Sequence, residues 1–465
     1  MKQKISKLLP FVTIAFVIIM LCSLCWGWLN PFFYILKDYD TQGIDYYSIP
    51  KSFLNLLEHR SIYDTWGGTP YVPYATWYLA HPAFSVFVGS WFSFFSPKVG
   101  YALFTLFSLV LIIYAAFLIS KTTNDGLKKR LSFFILLCAF PTYSVLFTGN
   151  MHAPIILSIT FILLSLFEFT YTDNYKTANQ KLVVGLLLSF FTKPIVVLML
   201  PLLLLLNETR KTTFKCIGIY CVVSILFLAL PVLNPQAIGY NKLMGIVFDF
   251  DFIKENLNIY KNQYVLNDYM KDNSIHWLNL IAQSDYKLMH INIFSLPVFV
   301  DGLLNKLTPS VIYKIPIYIC FLLSIGIAFI ENKKIKLESA LLLVMSITLT
   351  FFLSYNTVWE YQYAAALPIV ALLPILKSKN VFYKKQIPLL FFIGLFFCFP
   401  SFYWLNSLCQ FNHTLSPAII RANRVIPALL LFLIMMVQLI KVVKAYAVFG
   451  KLKEIEDLPT KLFFD

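Results

Sequence analysis

Three ionisable residues stand at the edges of long apolar runs, and their types suit proton transfer and anion binding. Asp45 opens a stretch through Leu57 in which Ile49, Phe53, Leu56 and Leu57 recur at helical spacing. Such a helix lies along a membrane surface and holds its first carboxylate at the water–lipid boundary, where the helix dipole favours negative charge. A carboxylate there is either a helix cap or a general base for a hydroxyl arriving at the interface. Asp38 and Asp40 are nearby rivals for that role. Lys193 interrupts the apolar stretch 182–206. An ammonium in such a run is costly unless it is partnered, hydrated or snorkelled to the interface. Glu360, between Trp359 and Tyr361, falls in a short loop where it orients Lys193, assists Asp45 or is simply solvated. His81, in Ala80-His81-Pro82, contacts a ligand phosphate or plays a structural part.

These residues need a scaffold, and composition says what kind. The chain has 465 residues, 59% hydrophobic and 13% charged, with 45 Phe and 27 Tyr. Soluble domains carry about 25% charged residues. A chain with half that share has too little polar surface for water. A lipid bilayer needs about 20 apolar residues per helix. The expected fold is an all-α polytopic membrane domain over residues 1–465, with roughly ten to twelve spans.

Spans are expected near 8–29, 99–120, 131–147, 153–172, 214–233, 310–330, 337–354, 361–376, 386–406 and 425–447. The stretches 74–96 and 182–206 are ambiguous. The net charge of +15 sits in short clusters between apolar runs, including Lys121–Arg130, Lys333–Lys336 and Lys377–Lys385. Basic loops prefer the cytoplasm. All of them share that side only if 74–96 stays at the outer leaflet and 182–206 enters and returns, broken at Lys193-Pro194. The alternative, with both stretches crossing, puts Lys121–Arg130 outside. Either arrangement leaves two large external loops, 30–73 and 234–309. No nucleic-acid module is visible, so the positive charge is read as membrane topology.

The order of these features resembles the GT-C class of glycosyltransferases. Within it, the pattern is most similar to the polyprenyl-phosphate-mannose-dependent mannosyltransferases. The resemblance rests on one N-terminal span, Gly43-x-Asp45-Tyr46, an amphipathic helix, Ile62-Tyr63-Asp64 and a Tyr/Pro segment at Thr69–Tyr74. Three later elements agree: Gly149-Asn150-Met151-His152 at a Gly-Gln-x-Asn-like turn, Lys193-Pro194 after a Gly-led apolar run, and Ser354–Pro368. Two motifs depart from the pattern: Asn150 replaces a Gln, and Tyr361-Gln362 replace a His-His pair.

The resemblance implies an inverting hexose transfer from a polyprenyl- or dolichyl-phosphate donor to a hydroxyl of a glycan or glycolipid, with no cofactor. It makes Asp45 the general base and Lys193 the cation for the departing phosphate. Asn150, His152, Glu360 and Gln362 join the substrate site, with His81 against the phosphate. Tyr46, Tyr47 and Trp359 could stack on a sugar face, although interfacial belting explains each of them separately. Arg421 and Arg424 fall just outside the last span, within reach of a lipid phosphate. The expected location is a bacterial inner membrane with the site on its non-cytoplasmic face.

Other classes fit less well. A transporter or flippase of lipid-linked saccharides is the alternative, and it predicts ionisable residues through the bilayer midplane and internal repeats. A ligase or polymerase of lipid-linked glycans predicts paired arginines in a large external loop, and 234–309 contains none. The six His show no HExxH and no metal-ligand spacing. Asp38-Tyr39-Asp40 and Asp249-Phe250-Asp251 match Asp-x-Asp by letter alone. Cys22 and Cys25 have CxxC spacing inside an apolar run, without the βαβ context of a redox motif.

Overall fold

The computed structural model describes residues 2–30, 42–57, 62, 65, 78, 80–172, 174–193, 195–229, 295–304, 312–355, 358–376, 386–402 and 416–449. Among them the regular elements are all helical, and the protein is an all-α polytopic membrane protein. Five helices are long and apolar enough to cross a bilayer: Ser6–Trp26, Pro97–Ser120, His152–Tyr171, Lys333–Ser354 and Ile419–Tyr446. Gly126–Cys138 and Phe140–Thr148, bent by 43°, together make a sixth. Three shorter apolar helices, Ile195–Leu205, Ile312–Ala328 and Gln386–Cys398, accompany them. The expected spans near 214–233 and 361–376 correspond to the Asn207–Ala229 helix and to a broken helical run over 360–375.

Burial sorts these helices as lipid would. His152–Tyr171 and Lys333–Ser354 are enclosed by their neighbours, each 89% buried over its most apolar window. Ser6–Trp26 and Pro97–Ser120 turn large apolar side chains outward, Phe11, Ile14, Ile18, Leu106 and Val110 among them. In water such a surface would drive aggregation, whereas in hydrocarbon it is neutral. Small residues set the closest helix approaches: Gly185 packs against Ile162, and its carbonyl accepts from the Ser158 hydroxyl at 2.6 Å.

Among the described residues neither ambiguous stretch forms one unbroken helix that passes as a membrane span. Residues 82–93 make a short helical run that lies on the Ile44–Leu57 helix, with Gly89 against the Ile49 carbonyl. At 1.5 Å per residue it reaches about 18 Å, short of the about 30 Å hydrocarbon core. In the second stretch the Tyr175–Phe191 helix ends, Thr192 and Lys193 leave helical form, and helix resumes as Ile195–Leu205. Proline withholds a donor and disfavours helix just before it. Ser189 repairs part of the loss by donating its hydroxyl to the Lys193 carbonyl at 2.6 Å.

The helix ends separate by chemistry. At one end Arg130 donates to the Ser6 carbonyl, Lys181 pairs with Glu168, and Lys333 bonds the Tyr175 hydroxyl. The Tyr446 hydroxyl accepts from the Glu331 N–H at that same end. The opposite end gathers Gly43–Tyr47, Gly100 and Gly149–His152. Of the expected external loops, residues 31–41 with Asp38 and Asp40, Arg60, Asp64, the Tyr/Pro segment 69–74 and residues 230–294 lie outside the described residues. The second loop ends in a described helix, Leu296–Leu304.

Candidate active site

The site grows from a helix terminus. Phe140–Thr148 ends at Gly149, whose φ of 65° lies in the left-handed region that favours glycine. Gly149 N–H donates to the Leu146 carbonyl at 3.3 Å, and Asn150 N–H to the Val145 carbonyl at 3.1 Å. Those two bonds form a Schellman cap, so the backbone alone fixes where Asn150 emerges. Gly149 also lies against Tyr46, whose Cα and N would sit 3.3 Å from an added Cβ. That close approach seats the turn on the first turn of the Ile44–Leu57 helix.

The same helix end holds the carboxylate from the other side. Gly43, at φ 74°, donates its N–H to the Phe147 carbonyl at 2.8 Å. The Tyr101 hydroxyl contacts the Leu146 and Phe147 carbonyls, each at 2.9 Å. Asp45 follows in the first turn of its helix, half-buried.

Asn150 is the hub. Its Nδ2 donates to Asp45 Oδ2 at 2.7 Å. Its Oδ1 lies 2.5 Å from His152 Nδ1 and 3.5 Å from Lys193 Nζ. The Tyr361 ring faces Lys193 Nζ at 5.6 Å and the His152 ring at 5.0 Å. Residues 45, 150, 152, 193 and 361 thus converge on one amide. Four of the five were sequence candidates. Tyr361 was legible only as a departure from a motif. Lys193 lies past the end of the Tyr175–Phe191 helix, outside its hydrogen-bond ladder, and meets Asn150 from there.

The remaining candidates take other positions. Tyr46 and Tyr47 are packed inside the protein rather than displayed at its surface. Both are buried in an aromatic cluster with Phe92, Tyr101 and Phe104, and Tyr46 is fully enclosed. His81 is an N-cap: Nδ1 accepts from Ala83 N–H at 3.1 Å and Nε2 lies 3.0 Å from the Ser224 hydroxyl. Burial lowers its pKa to about 4, so the ring is neutral and ill suited to grip a phosphate. Gln362 closes a turn, its Oε1 accepting the Trp359 N–H at 2.7 Å, and Trp359 itself is half-buried.

Glu360 is not a solvated loop residue and does not orient Lys193. It is buried and ion-paired with Arg424, whose Nε lies 2.9 Å from Oε1. Arg424 also donates to the carbonyls of Phe396, at 2.9 Å, and Phe399. One guanidinium therefore clamps three segments, using the fork of donors that only arginine presents. Arg421 is buried as well. The helix holding both begins at Ser416, nine residues before the expected span, because the ion pair lets charged residues sit inside the packed bundle. Neither arginine lies beyond the helix, open to a lipid headgroup.

Among the described residues no group of three His, Cys, Asp or Glu comes together as a metal site. No family model matches the chain, and no curated protein or solved structure matches it either.

Proposed function

We propose that the protein transfers a hexose, mannose by resemblance, from a polyprenyl- or dolichyl-phosphate donor to a hydroxyl of a glycan or glycolipid acceptor. The observation that carries this reading is the meeting of Asp45 and Lys193 at one amide, from positions 148 residues apart in the chain. A carboxylate beside an ammonium, at the mouth of a membrane bundle, suits attack by a hydroxyl on a carbon that bears a phosphate leaving group.

The step balances as follows. Asp45 takes the proton of the acceptor hydroxyl as its oxygen attacks the anomeric carbon from the face opposite the phosphate. The carbon–oxygen bond to phosphate breaks, its electron pair leaves on the phosphate, and the configuration inverts. Charge grows on the departing phosphate, and the Lys193 ammonium neutralises it. Asn150 holds both groups at a fixed separation, which removes part of the entropic cost of bringing them together. The basic helix ends lie opposite the site, and the positive-inside preference supports a site on the non-cytoplasmic face. That orientation fits a bacterial inner membrane.

The test is Asp45→Asn in purified protein, assayed with polyprenyl-phosphate mannose as donor and octyl mannoside as acceptor. Loss of a general base lowers turnover by about 10²–10⁴-fold. Full turnover in the variant removes Asp45 from the role. Movement of donor lipid across vesicles, without sugar transfer, replaces this reading with a flippase.

A further inference from the structure

The Asn150 amide has two ends, and their neighbours have opposite signs. Nδ2 meets the Asp45 carboxylate, which only accepts, at 2.7 Å. Oδ1 faces the Lys193 ammonium, which only donates, at 3.5 Å. Rotating the amide by 180° would set oxygen against carboxylate and N–H₂ against ammonium, so the orientation is fixed by charge. An oxygen so placed can only accept, and His152 Nδ1 is 2.5 Å from it. Nδ1 must therefore carry a proton.

The other ring nitrogen has a different environment. His152 is fully buried, and Nε2 has no hydrogen-bond partner among the described residues. A protonated Nε2 would leave a charged, unpaired N–H in the packed bundle beside Lys193, at a cost of several kcal/mol. The geometry points to a neutral His152 fixed as its Nδ1–H tautomer, a positioning residue that aims the Asp45 carboxylate through the Asn150 amide. Without that donor, Asn150 Oδ1 would be held by the long Lys193 contact. The amide could then swing, and the carboxylate would follow it. The tautomer stands independently of the reaction, whereas its effect on turnover rests on Asp45 being the general base.

Two measurements separate those levels. The first is nitrogen NMR of full-length, ¹⁵N-histidine-labelled protein in nanodiscs, with the His152 signal assigned by its absence from His152→Asn. The expected spectrum shows a protonated Nδ1 and a bare Nε2 at neutral pH. An Nε2–H tautomer, or an imidazolium, overturns the inference whatever the enzyme does. The second is mannose transfer to octyl mannoside by three variants, each checked for an unchanged melting temperature. His152→Ala lowers kcat about 10–100-fold with KM changing far less, as expected when a supporting partner is lost. His152→Asn, whose amide nitrogen falls where Nδ1 was, recovers most of that loss. His152→Gln, whose nitrogen falls where Nε2 was, does not. Equal behaviour of Asn and Gln, or a loss confined to KM, refutes the positioning role. If the wild type transfers nothing from this donor, the proposed function falls, and the NMR result still decides the tautomer.

Discussion

Gly149→Ala tests the architecture of the site at its narrowest point. The substitution forces an L-residue to φ 65°, the left-handed region, at a cost of about 1–2 kcal/mol. It also sets a new Cβ under 3 Å from the Tyr46 Cβ, a separation real Cβ atoms do not adopt, with Tyr46 Cα and N at 3.3 Å behind it. Apolar carbons settle at about 3.5–4.0 Å, so the turn and the Ile44–Leu57 helix must part by roughly 1 Å. Neither partner yields easily, since Tyr46 is enclosed by Phe92, Tyr101 and Phe104. A 1 Å shift stretches the 2.7 Å Asn150–Asp45 bond beyond hydrogen-bonding range. Misplacement on that scale costs about 10²-fold in rate. The expected outcome is a lower melting temperature in detergent, reflecting about 2–4 kcal/mol of strain and overpacking, together with transfer near one hundredth of wild type. Gly149→Asn separates the two causes, because Asn tolerates the left-handed region but still carries the Cβ. It should remain nearly as impaired as the alanine variant. Wild-type melting and activity in Gly149→Ala would show that the turn is not seated on Tyr46 as described.

Other perturbations follow from the same geometry. Lys193→Met keeps the aliphatic stem and removes the charge; transfer should fall by about 10²–10³-fold while the melting temperature holds or rises, and retained turnover would exclude the ammonium from leaving-group stabilisation. Arg424→Leu strands the buried Glu360 carboxylate and should destabilise by about 3–5 kcal/mol, with Glu360→Gln restoring part of it; additive effects of the two changes would argue against the ion pair. His81 has a folded pKa of about 4 against an ordinary 6.5, so below pH 6.5 the unfolded chain binds the proton first. Its contribution to stability is complete above pH 6.5 and is lost as pH falls toward 4. Melting curves should show that slope, and His81→Asn, which keeps the cap acceptor for Ala83 N–H, should flatten it; an unchanged slope assigns the titration elsewhere.

Legibility followed the range of the interaction. The longest spans could be read because lipid imposes a length on consecutive residues, although ten to twelve were expected and five helices, or six with the bent pair, qualify among the described residues. The break at Lys193-Pro194 could be read because proline acts on its own neighbours. The pairing of Glu360 with Arg424 could not, since 64 residues separate them and neither has a local signature of the other. Without that pair, two charged arginines look like the end of a span, which misplaced the start of the last helix. Tyr46 and Tyr47 misled for a related reason. Tyrosine suits an interface as well as a core, and only the distant Phe92, Tyr101 and Phe104 decide between them. His81 carried a local clue in Pro82, a residue suited to the first turn of a helix.

The carbonyls of Leu146 and Phe147 receive Gly43 N–H and the Tyr101 hydroxyl, so the start of the helix that carries Asp45 is placed against backbone, and the Asn150 amide then meets the carboxylate. A scaffold built in this way separates two kinds of heritable change. Side chains at 146 and 147 can be exchanged with little effect on where Asp45 stands, whereas any change that tilts the peptide planes there moves it at once. Selection for a new acceptor could thus rewrite the surroundings of the site many times over while its reactive geometry stays fixed.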